Sequence, residues 1–302
     1  MNFIDFQNKF KNDDAIINHF IKIRYGNKKP ACNHCGSFKV HQRPKRHRIF
    51  QCNDCNKDFS IFKGTIFEQS TTDLRKWFYA IRIFLNGKKG ISGLQLEREI
   101  NVTYKTAWRM LKQIRLAMGN ESLKGVFDNI LEMDETYIGG KPRKGPNGKF
   151  DIRTDKSSRG RGTFKIPIIG VKDREKKLIY ARVALPNEKN QTLTGQQLLN
   201  VLNDVAKAGS TIMTDQFRSY RILSKYGYVH LKLDHDTKFV DGIIHTNGLE
   251  SFWSIFKRGV YGVYHSVSRK HLQKYVNEFT FRYNNKDNAE IFDLVLSRSI
   301  LA

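Results

Sequence analysis

An amphipathic helix is predicted for residues 245–259, HTNGLESFWSIFKRG, because apolar residues recur there with the helical period. The members of the apolar stripe stand at i, i+3, i+4 and i+7 and are predicted core side chains: Leu249, Phe252, Trp253 and Phe256. Glu250 and Lys257 stand about two helical turns apart, so an acid and a base project from one face beside that stripe. The alternative is a solvated helix face with a weak Glu/Lys pair.

Helical periods also dominate the N-terminal part of the chain. Two short helices are predicted within residues 1–30, and a third within residues 72–85 with Thr71 or Thr72 as its N-cap. From about residue 126 the pattern changes to short apolar runs that alternate with helices, which predicts a sheet with helices packed on it.

A helix-turn-helix pair is predicted between these two parts. Ser92, with Gln95 three residues later, starts a helix that ends at Ile100, and Thr103 caps a longer helix to about Met118. The second helix of such a pair lies in the major groove of DNA, so residues near its start are candidate contacts: Tyr104, Lys105 and Arg109. A plain three-helix packing unit is the alternative.

The second half of the chain predicts five strands, at 130–138, 166–171, 178–184, 211–214 and 228–231. Helices are predicted at 191–206, 217–225 and 271–283 in addition to the one at 245–259. The first strand carries Asp134 and Glu135, and the fourth leads directly into Asp215. Residues 141–165, rich in lysine and arginine, predict a basic loop without regular structure.

Lysine and arginine outnumber aspartate and glutamate by 53 to 29 in this chain of 302 residues, a formal net charge of +24. A polyanion is the expected partner, because basic side chains that neutralise phosphates release condensed counterions. No run of about 18 apolar residues and no signal-peptide pattern is present, so no membrane segment is predicted. A soluble, cytoplasmic protein is expected.

The cysteines of the sequence form two CxxC pairs: Cys32, Cys35, Cys52 and Cys55. Two such pairs typically give four thiolates to one structural Zn²⁺, which contributes folding energy to a segment too short for its own core. Two disulfides or redox-active pairs are the alternatives. The intervening HQRPKRHRIFQ predicts a hairpin with basic residues that contact phosphate, namely Arg43, Lys45 and Arg46, or else a solvated ribbon edge.

The order of strands and helices after residue 126 fits an RNase H-like fold in which three carboxylates converge: Asp134, Asp215 and Glu250. Such oxygen ligands suit two Mg²⁺ or Mn²⁺ ions, which activate the attacking water or 3′-hydroxyl in phosphoryl transfer on DNA and stabilise the leaving oxygen. Glu135 is an alternative ligand, but adjacent strand residues face opposite sides, so Asp134 is preferred. A turn or helix cap is the alternative role for Asp215.

Three motifs follow the ribbon and the helix-turn-helix in the sequence: MDETYIGGK at 133–141, TDQFRSY at 214–220 and HTNGLESFWSIFKRGVYGVYH at 245–265. Together they closely resemble the IS1595 family of bacterial insertion-sequence transposases, in its ISXO2-like subgroup, over roughly residues 15–285. The resemblance implies a DDE transposase with Asp134, Asp215 and Glu250 as metal ligands and Lys257 as the basic residue that follows. Some relatives carry Asn where this chain has Glu250, so the retained acid favours activity.

The resemblance also implies binding of the terminal inverted repeats of an insertion sequence, metal-dependent DNA cleavage and strand transfer. Double-stranded DNA is then the partner, at the bacterial nucleoid, and a homodimer or larger synaptic complex is expected. A domesticated, non-cutting DNA-binding regulator and an RNase H-type nuclease are the alternatives.

The predicted fold class is multidomain α+β, with a zinc ribbon and a helix-turn-helix followed by an RNase H-like α/β catalytic domain. The predicted boundaries are N-terminal helices at 1–30, the zinc ribbon at 31–62, the helix-turn-helix region at 63–120 and the catalytic domain at 126–302, with the basic loop at 141–165.

Overall fold

The computed structural model describes residues 2–26, 28–44, 46–119, 123–139, 165–188, 192–232 and 246–300. Its contacts divide the chain into two compact units, a first unit of Met1–Glu121 with Asp287–Ala302 and a second unit of Ser122–Lys286. Lys45 and nearly all of the predicted basic loop at 141–165 lie outside the described residues.

The first unit begins with two short helices, α1 (Phe3–Lys9) and α2 (Asp13–Tyr25). The side chains of Asn2 and Asn12 cap them, because each accepts a hydrogen bond from the backbone N–H three residues later. The two helices predicted within residues 1–30 are confirmed.

A small antiparallel sheet follows, in the order β1-β2-β3: β1 (Val40–Arg43), β2 (Arg46–Cys52) and β3 (Asp58–Ser60). β1 and β2 form the hairpin predicted between the two cysteine pairs. The third strand was not predicted. It pairs Phe59 with Phe50, and their rings lie 5.9 Å apart, which gives the ribbon an apolar contact of its own.

The next helix is α3 (Leu74–Asn86), whose buried side chains are Leu74, Trp77, Phe78, Ala80, Ile81 and Phe84. Its N-cap differs from the prediction of Thr71 or Thr72. The carboxylate of Asp73 accepts from the first backbone N–H groups of the helix, at 2.7 and 3.3 Å. A carboxylate at this end also interacts favourably with the helix dipole.

A helix-turn-helix pair follows, formed by α4 (Gly93–Ile100) and α5 (Tyr104–Met118). Ser92 and Thr103 cap the two helices as predicted, by accepting from the backbone N–H groups of Gln95 and Thr106. Asn101 ends α4 in the left-handed conformation, with φ of 49°, so the chain turns at once into α5.

The second unit is built on a five-stranded sheet in the order β6-β5-β4-β7-β8: β4 (Ile130–Ile138), β5 (Ile166–Asp173), β6 (Leu178–Val183), β7 (Thr211–Thr214) and β8 (Val229–Lys232). β4, β5 and β6 are antiparallel neighbours, whereas β7 runs parallel to β4 and β8 runs parallel to β7. This order and these directions are those of an RNase H-like sheet, as predicted.

Helices cover both faces of this sheet. One face carries α6 (Gly195–Asn203) and a 3-10 helix (Arg218–Tyr226), and the other carries α7 (Asn247–Gly259), its π-helical extension (Val260–Tyr264) and α8 (Leu272–Asn284). Met133 packs in the core under α6, whereas Ile138 packs in the core under α7 and α8. The segment predicted as a helix at 217–225 therefore has 3-10 geometry.

The last helix, α9 (Ile291–Arg298), belongs to the first unit. Phe292 lies with its ring 5.6 Å from that of Phe10 and 5.8 Å from that of Phe78. The predicted catalytic domain at 126–302 therefore ends too late, because the apolar side of α9 packs into the aromatic core of the first unit. Within the described ranges, no helix combines the length and the apolar character that crossing a membrane requires.

Candidate active site

Asp134 lies in the middle of β4, on the sheet face that α7 covers. The indole Nε1–H of Trp253 donates to its Oδ2 at 3.1 Å. Glu135, the next residue of the strand, faces the other way, where the hydroxyl of Tyr220 donates to its Oε2 at 2.8 Å. The alternation of side chains along a strand thus separates the two acids, and Asp134 is the one beside α7.

Asp215 directly follows β7, which runs parallel to β4 and pairs with it. Its Oδ1 accepts the backbone N–H of Phe217 at 3.0 Å, an Asx turn. The turn role considered as the alternative for Asp215 is therefore present in the structure. A carboxylate offers about four lone-pair sites, so this turn is compatible with a second role as a cation ligand.

Glu250 stands in the first turn of α7 and is exposed. Thr246, whose side chain is buried just before the helix, donates from Oγ1 to Glu250 Oε1 at 3.1 Å. The backbone N–H of Glu250 donates to the carbonyl of the same threonine at 3.1 Å. The threonine thus orients the carboxylate, which stays accessible to a ligand.

The charges of the other two acids act on Asp134. The pKa of Asp134 is raised to about 8, chiefly because the group is buried and then because Glu135, Asp215 and Glu250 are negative. A hydrogen bond with the backbone of Glu135 acts in the opposite direction. A cation bound beside Asp134 would oppose this shift, because it favours the charged form of the carboxyl group.

Lys257 stands two turns after Glu250 on α7 and is half-buried. Burial lowers the pKa of Lys257, the negative charge of Asp134 opposes that shift, and the positive charge of Lys165 adds to it. The acid that acts on Lys257 is therefore Asp134 on the sheet. The weak Glu/Lys pair along the helix, considered above, does not describe this arrangement.

The donor atoms of the three acids suit a hard cation. Asp134, Asp215 and Glu250 offer carboxylate oxygens, which Mg²⁺ and Mn²⁺ prefer. In the described part of the chain, these oxygens are not all within 4.8 Å of one another, as the cysteine sulfurs of the ribbon are.

Glu132, which sequence reasoning missed, is 1% exposed on β4. Its Oε2 accepts the backbone N–H of Leu249 at 3.0 Å, and Nε of Arg174 donates to its Oε1 at 2.8 Å. A Cβ added to Gly248 would overlap both the Nζ of Lys172 and the Oε2 of Glu132, so these two groups lie close together beside the start of α7. Glu132 thus ties the start of α7 to the sheet. A signal was available, because Glu132 precedes the predicted first ligand by two residues and so faces the same side.

The sulfur atoms of the ribbon all lie within 4.8 Å of one another. The Sγ atoms of Cys32 and Cys55 are 3.7 Å apart, and those of Cys35 and Cys52 are 3.5 Å apart. Both separations are too long for disulfides, whose S–S bond is about 2.05 Å. Four thiolates about 2.3 Å from a tetrahedral Zn²⁺ lie about 3.8 Å apart, so these four cysteines fit one zinc ion.

Comparison with known families decides what kind of protein carries this site. Residues 11–58 match the transposase zinc-ribbon domain, and residues 123–284, more than half of the chain, match the ISXO2-like transposase domain. The chain belongs to the ISXO2-like transposase family. The resemblance drawn from the sequence motifs is confirmed, and so is a ribbon followed by a transposase domain.

Two relatives of this transposase have similar sequences. An uncharacterized protein in transposable element ISH50 of Halobacterium salinarum is 30% identical over 292 residues, which cover 90% of this chain and 91% of the relative. An uncharacterized transposase-like protein of Haemophilus influenzae is 30% identical over 105 residues, 35% of this chain and 80% of the relative.

A chain in the crystal structure of the Mos1 strand transfer complex is 12% identical, with a TM-score of 0.28, over 77% of this transposase and 81% of that chain. The RNase H-like assignment rests on the strand order of the sheet and on the family.

The predicted DNA contacts of the helix-turn-helix differ in their surroundings. Lys105 is exposed in the first turn of α5, and so is Tyr104, whose ring packs against Gly93. Arg109 is less open, because its Nη2 donates to the carbonyl of Glu68 at 3.2 Å. Trp108, 37% exposed on the same helix, was not predicted as a contact; the Nζ of Lys112 lies 5.5 Å from the centroid of its ring.

The basic residues of the ribbon hairpin also differ. Arg43 donates to the carboxylate of Asp58 from both Nε and Nη2, at 3.1 and 3.0 Å, so part of its charge is already neutralised. Arg46 is exposed at the start of β2. Lys45, the third predicted contact, lies outside the described residues.

Proposed function

We propose that this transposase binds the terminal inverted repeats of its insertion sequence and catalyses metal-dependent DNA cleavage and strand transfer. The observation that carries the proposal is the environment of Asp134 beside α7, in an RNase H-like sheet. Burial and the charge of Glu135 raise its pKa most, and the charges of Asp215 and Glu250 raise it further. A buried carboxyl group whose pKa is raised by neighbouring acids is typical of functional sites, including those that bind cations.

Two Mg²⁺ or Mn²⁺ ions held by Asp134, Asp215 and Glu250 would supply activation of a water or 3′-hydroxyl and stabilisation of the leaving oxygen. The chain's own part is to hold the acids in place. The Phe217 backbone orients Asp215, and Thr246 orients Glu250, as their hydrogen bonds indicate. Holding ligands before the substrate arrives avoids reorganisation during the reaction.

Lys257 is proposed to contact a phosphate of the DNA at this site. It is half-buried on α7, and the charge of Asp134 acts on it. An ammonium group in that position neutralises phosphate charge where scissile DNA approaches the acids. The charge of Asp134 that acts on Lys257 and the position of Lys257 two turns after Glu250 on α7 support this role.

The ribbon and the helix-turn-helix are proposed to bind double-stranded DNA. Lys105 and Tyr104 at the start of α5 and Arg46 of the ribbon are exposed, and the whole chain carries a formal net charge of +24. Both ends of an element must be held together for joining, so a homodimer or larger synaptic complex is proposed, in the cytoplasm at the nucleoid.

The test is a strand-transfer assay with DNA that carries the element's own ends, with and without Mg²⁺. Asp134→Asn, Asp215→Asn and Glu250→Gln are each expected to abolish cleavage and joining while end binding in a mobility-shift assay is retained. End binding without any cleavage by the unaltered protein would support the regulator alternative, and cleavage without joining would support the nuclease.

Glu135→Gln is the matched control, because it neutralises the neighbouring acid of the same strand on the opposite face of the sheet. This variant is expected to keep cleavage activity. Loss of cleavage in Glu135→Gln combined with retention in Asp134→Asn would transfer the ligand role to Glu135 and overturn the assignment proposed for Asp134.

A further inference from the structure

The indole of Trp253 hydrogen-bonds the first predicted metal ligand. Its Nε1–H donates to Asp134 Oδ2 at 3.1 Å, between two elements that are 119 residues apart in the chain. Trp253 is 4% exposed and was predicted from the apolar stripe of α7 as a core side chain. The ring does pack in the core, but its polar edge reaches the carboxylate.

The neighbouring strand leaves space for this indole. Gly170 of β5 pairs with Asp134 in the sheet register. A Cβ at Gly170 would lie 2.5 Å from Cζ2 of Trp253, closer than any side chain permits. The indole therefore lies directly over the backbone of the strand that flanks Asp134, in a position that a larger residue would block.

The ring is also held by its own helix. Its centroid lies 5.0 Å from that of Phe252 and 6.3 Å from that of Phe256, both of which are buried. Glu250, Trp253 and Lys257 stand at i, i+3 and i+7, so successive turns of α7 face the same region of the sheet. The helix thus supplies an acid, a hydrogen-bond donor and a base.

We propose that Trp253 is a positioning residue, which orients the Asp134 carboxylate for a divalent cation through the indole N–H. The inference rests on the proposed function, since it assumes that Asp134 is a metal ligand. A carboxylate has about four lone-pair sites, so one donor on Oδ2 leaves acceptor positions for the cation. Hydrogen bonds to ligating groups are a general means of setting ligand orientation and metal affinity.

The test is a titration of the full-length, zinc-loaded protein with Mn²⁺, in which free and bound ion are measured by electron paramagnetic resonance. Trp253→Phe removes the N–H and keeps an aromatic ring, and is expected to weaken Mn²⁺ binding about 10- to 100-fold. Trp77→Phe is the matched control, because Trp77 donates its Nε1–H to Ser70 Oγ at 2.8 Å in the first unit. That control is expected to leave Mn²⁺ affinity unchanged.

A measurement on the unaltered protein complements the variants. The indole ¹H–¹⁵N resonance of Trp253 is expected to shift as Mg²⁺ is added and to saturate with the binding curve, whereas the Trp77 resonance stays in place. Unchanged Mn²⁺ affinity in Trp253→Phe, an equal loss in Trp77→Phe, or an unresponsive Trp253 resonance would each overturn the positioning role.

Asp134→Asn separates this inference from the proposed function. If that variant keeps full Mn²⁺ affinity, the ligand assignment itself fails. If it loses Mn²⁺ binding while Trp253→Phe binds normally, the ligand assignment stands and only the role of Trp253 is rejected.

Discussion

The carboxylate of Glu132 accepts the backbone N–H of Leu249 at 3.0 Å, which links the first strand of the sheet to the first turn of α7. Arg174 donates to the other oxygen of the same carboxylate at 2.8 Å. Glu250 is the next residue of α7. The contact therefore helps to fix the position of Glu250 relative to the sheet. The buried Glu132 is therefore structural support for the site.

Glu132→Ala is expected to lower the free energy of unfolding of the second unit by about 3–5 kcal/mol, because it leaves Arg174 without this buried acid. Denaturant unfolding measures the change. Arg182→Gln is the control, since it breaks the ion pair with Asp204, in which the arginine side chain is 52% exposed. That pair is expected to contribute about 0–1 kcal/mol. Equal effects of the two substitutions would contradict the anchoring role of Glu132.

Gly170→Ala is expected to destabilise the second unit by about 1–3 kcal/mol, the usual cost of overpacking a core. The added Cβ would lie 2.5 Å from Trp253, and α7 would have to move away from the sheet. Gly262→Ala is the control, because its Cβ would meet no atom within 4 Å. Thermal unfolding of both variants gives the comparison, and a Gly170→Ala protein as stable as the control would rule out this close approach.

Zinc removal is expected to unfold the ribbon, because the four thiolates are the groups that hold the two CxxC turns together. Cys35→Ser should lower bound zinc well below one ion per chain, as measured by metal analysis, with loss of the ribbon signals in an NMR spectrum. His34→Ala should retain zinc, since the imidazole of His34 lies 3.3 Å from the carbonyl of Asp58. Full zinc content in Cys35→Ser would be incompatible with a four-cysteine site.

Lys257→Ala is expected to slow DNA cleavage about 10- to 100-fold, the equivalent of one lost charge-assisted hydrogen bond to phosphate. Single-turnover cleavage of end DNA measures the rate, and circular dichroism checks the fold. Arg258→Ala removes the adjacent positive charge, which is exposed and donates from Nε to the Ser254 carbonyl. A similar rate loss in both variants would indicate a general charge effect and argue against a specific contact by Lys257.

Lys105→Ala is expected to reduce the salt dependence of end binding by about one phosphate contact, with a slope of log K against log salt that is smaller by about 0.9. Lys105 is exposed in the first turn of α5. Lys11→Ala changes an exposed lysine between α1 and α2 and serves as the comparison. An unchanged slope in Lys105→Ala would place α5 outside the DNA interface.

The sequence by itself determined the order of the elements and most of their boundaries, because these depend on local signals. Ser92 and Thr103 cap their helices through backbone groups three residues away, and β4 has the predicted limits. The ribbon was equally readable, since thiol spacing alone specifies a metal site. Asp134 could be assigned to a strand, Asp215 to the end of another strand and Glu250 to a helix from the same local patterns.

Tertiary structure alone decided the contacts between distant residues. Trp253 meets Asp134, and Glu132 meets Leu249, across 119 and 117 residues of chain. Neither periodicity nor spacing encodes such pairs, because they depend on sheet register and on the depth at which α7 packs. The same reason explains α9, because its place in the first unit depends on contacts with residues far away in the chain. Local sequence patterns therefore identify the acids, whereas long-range packing decides which side chains hydrogen-bond to them and to their helix.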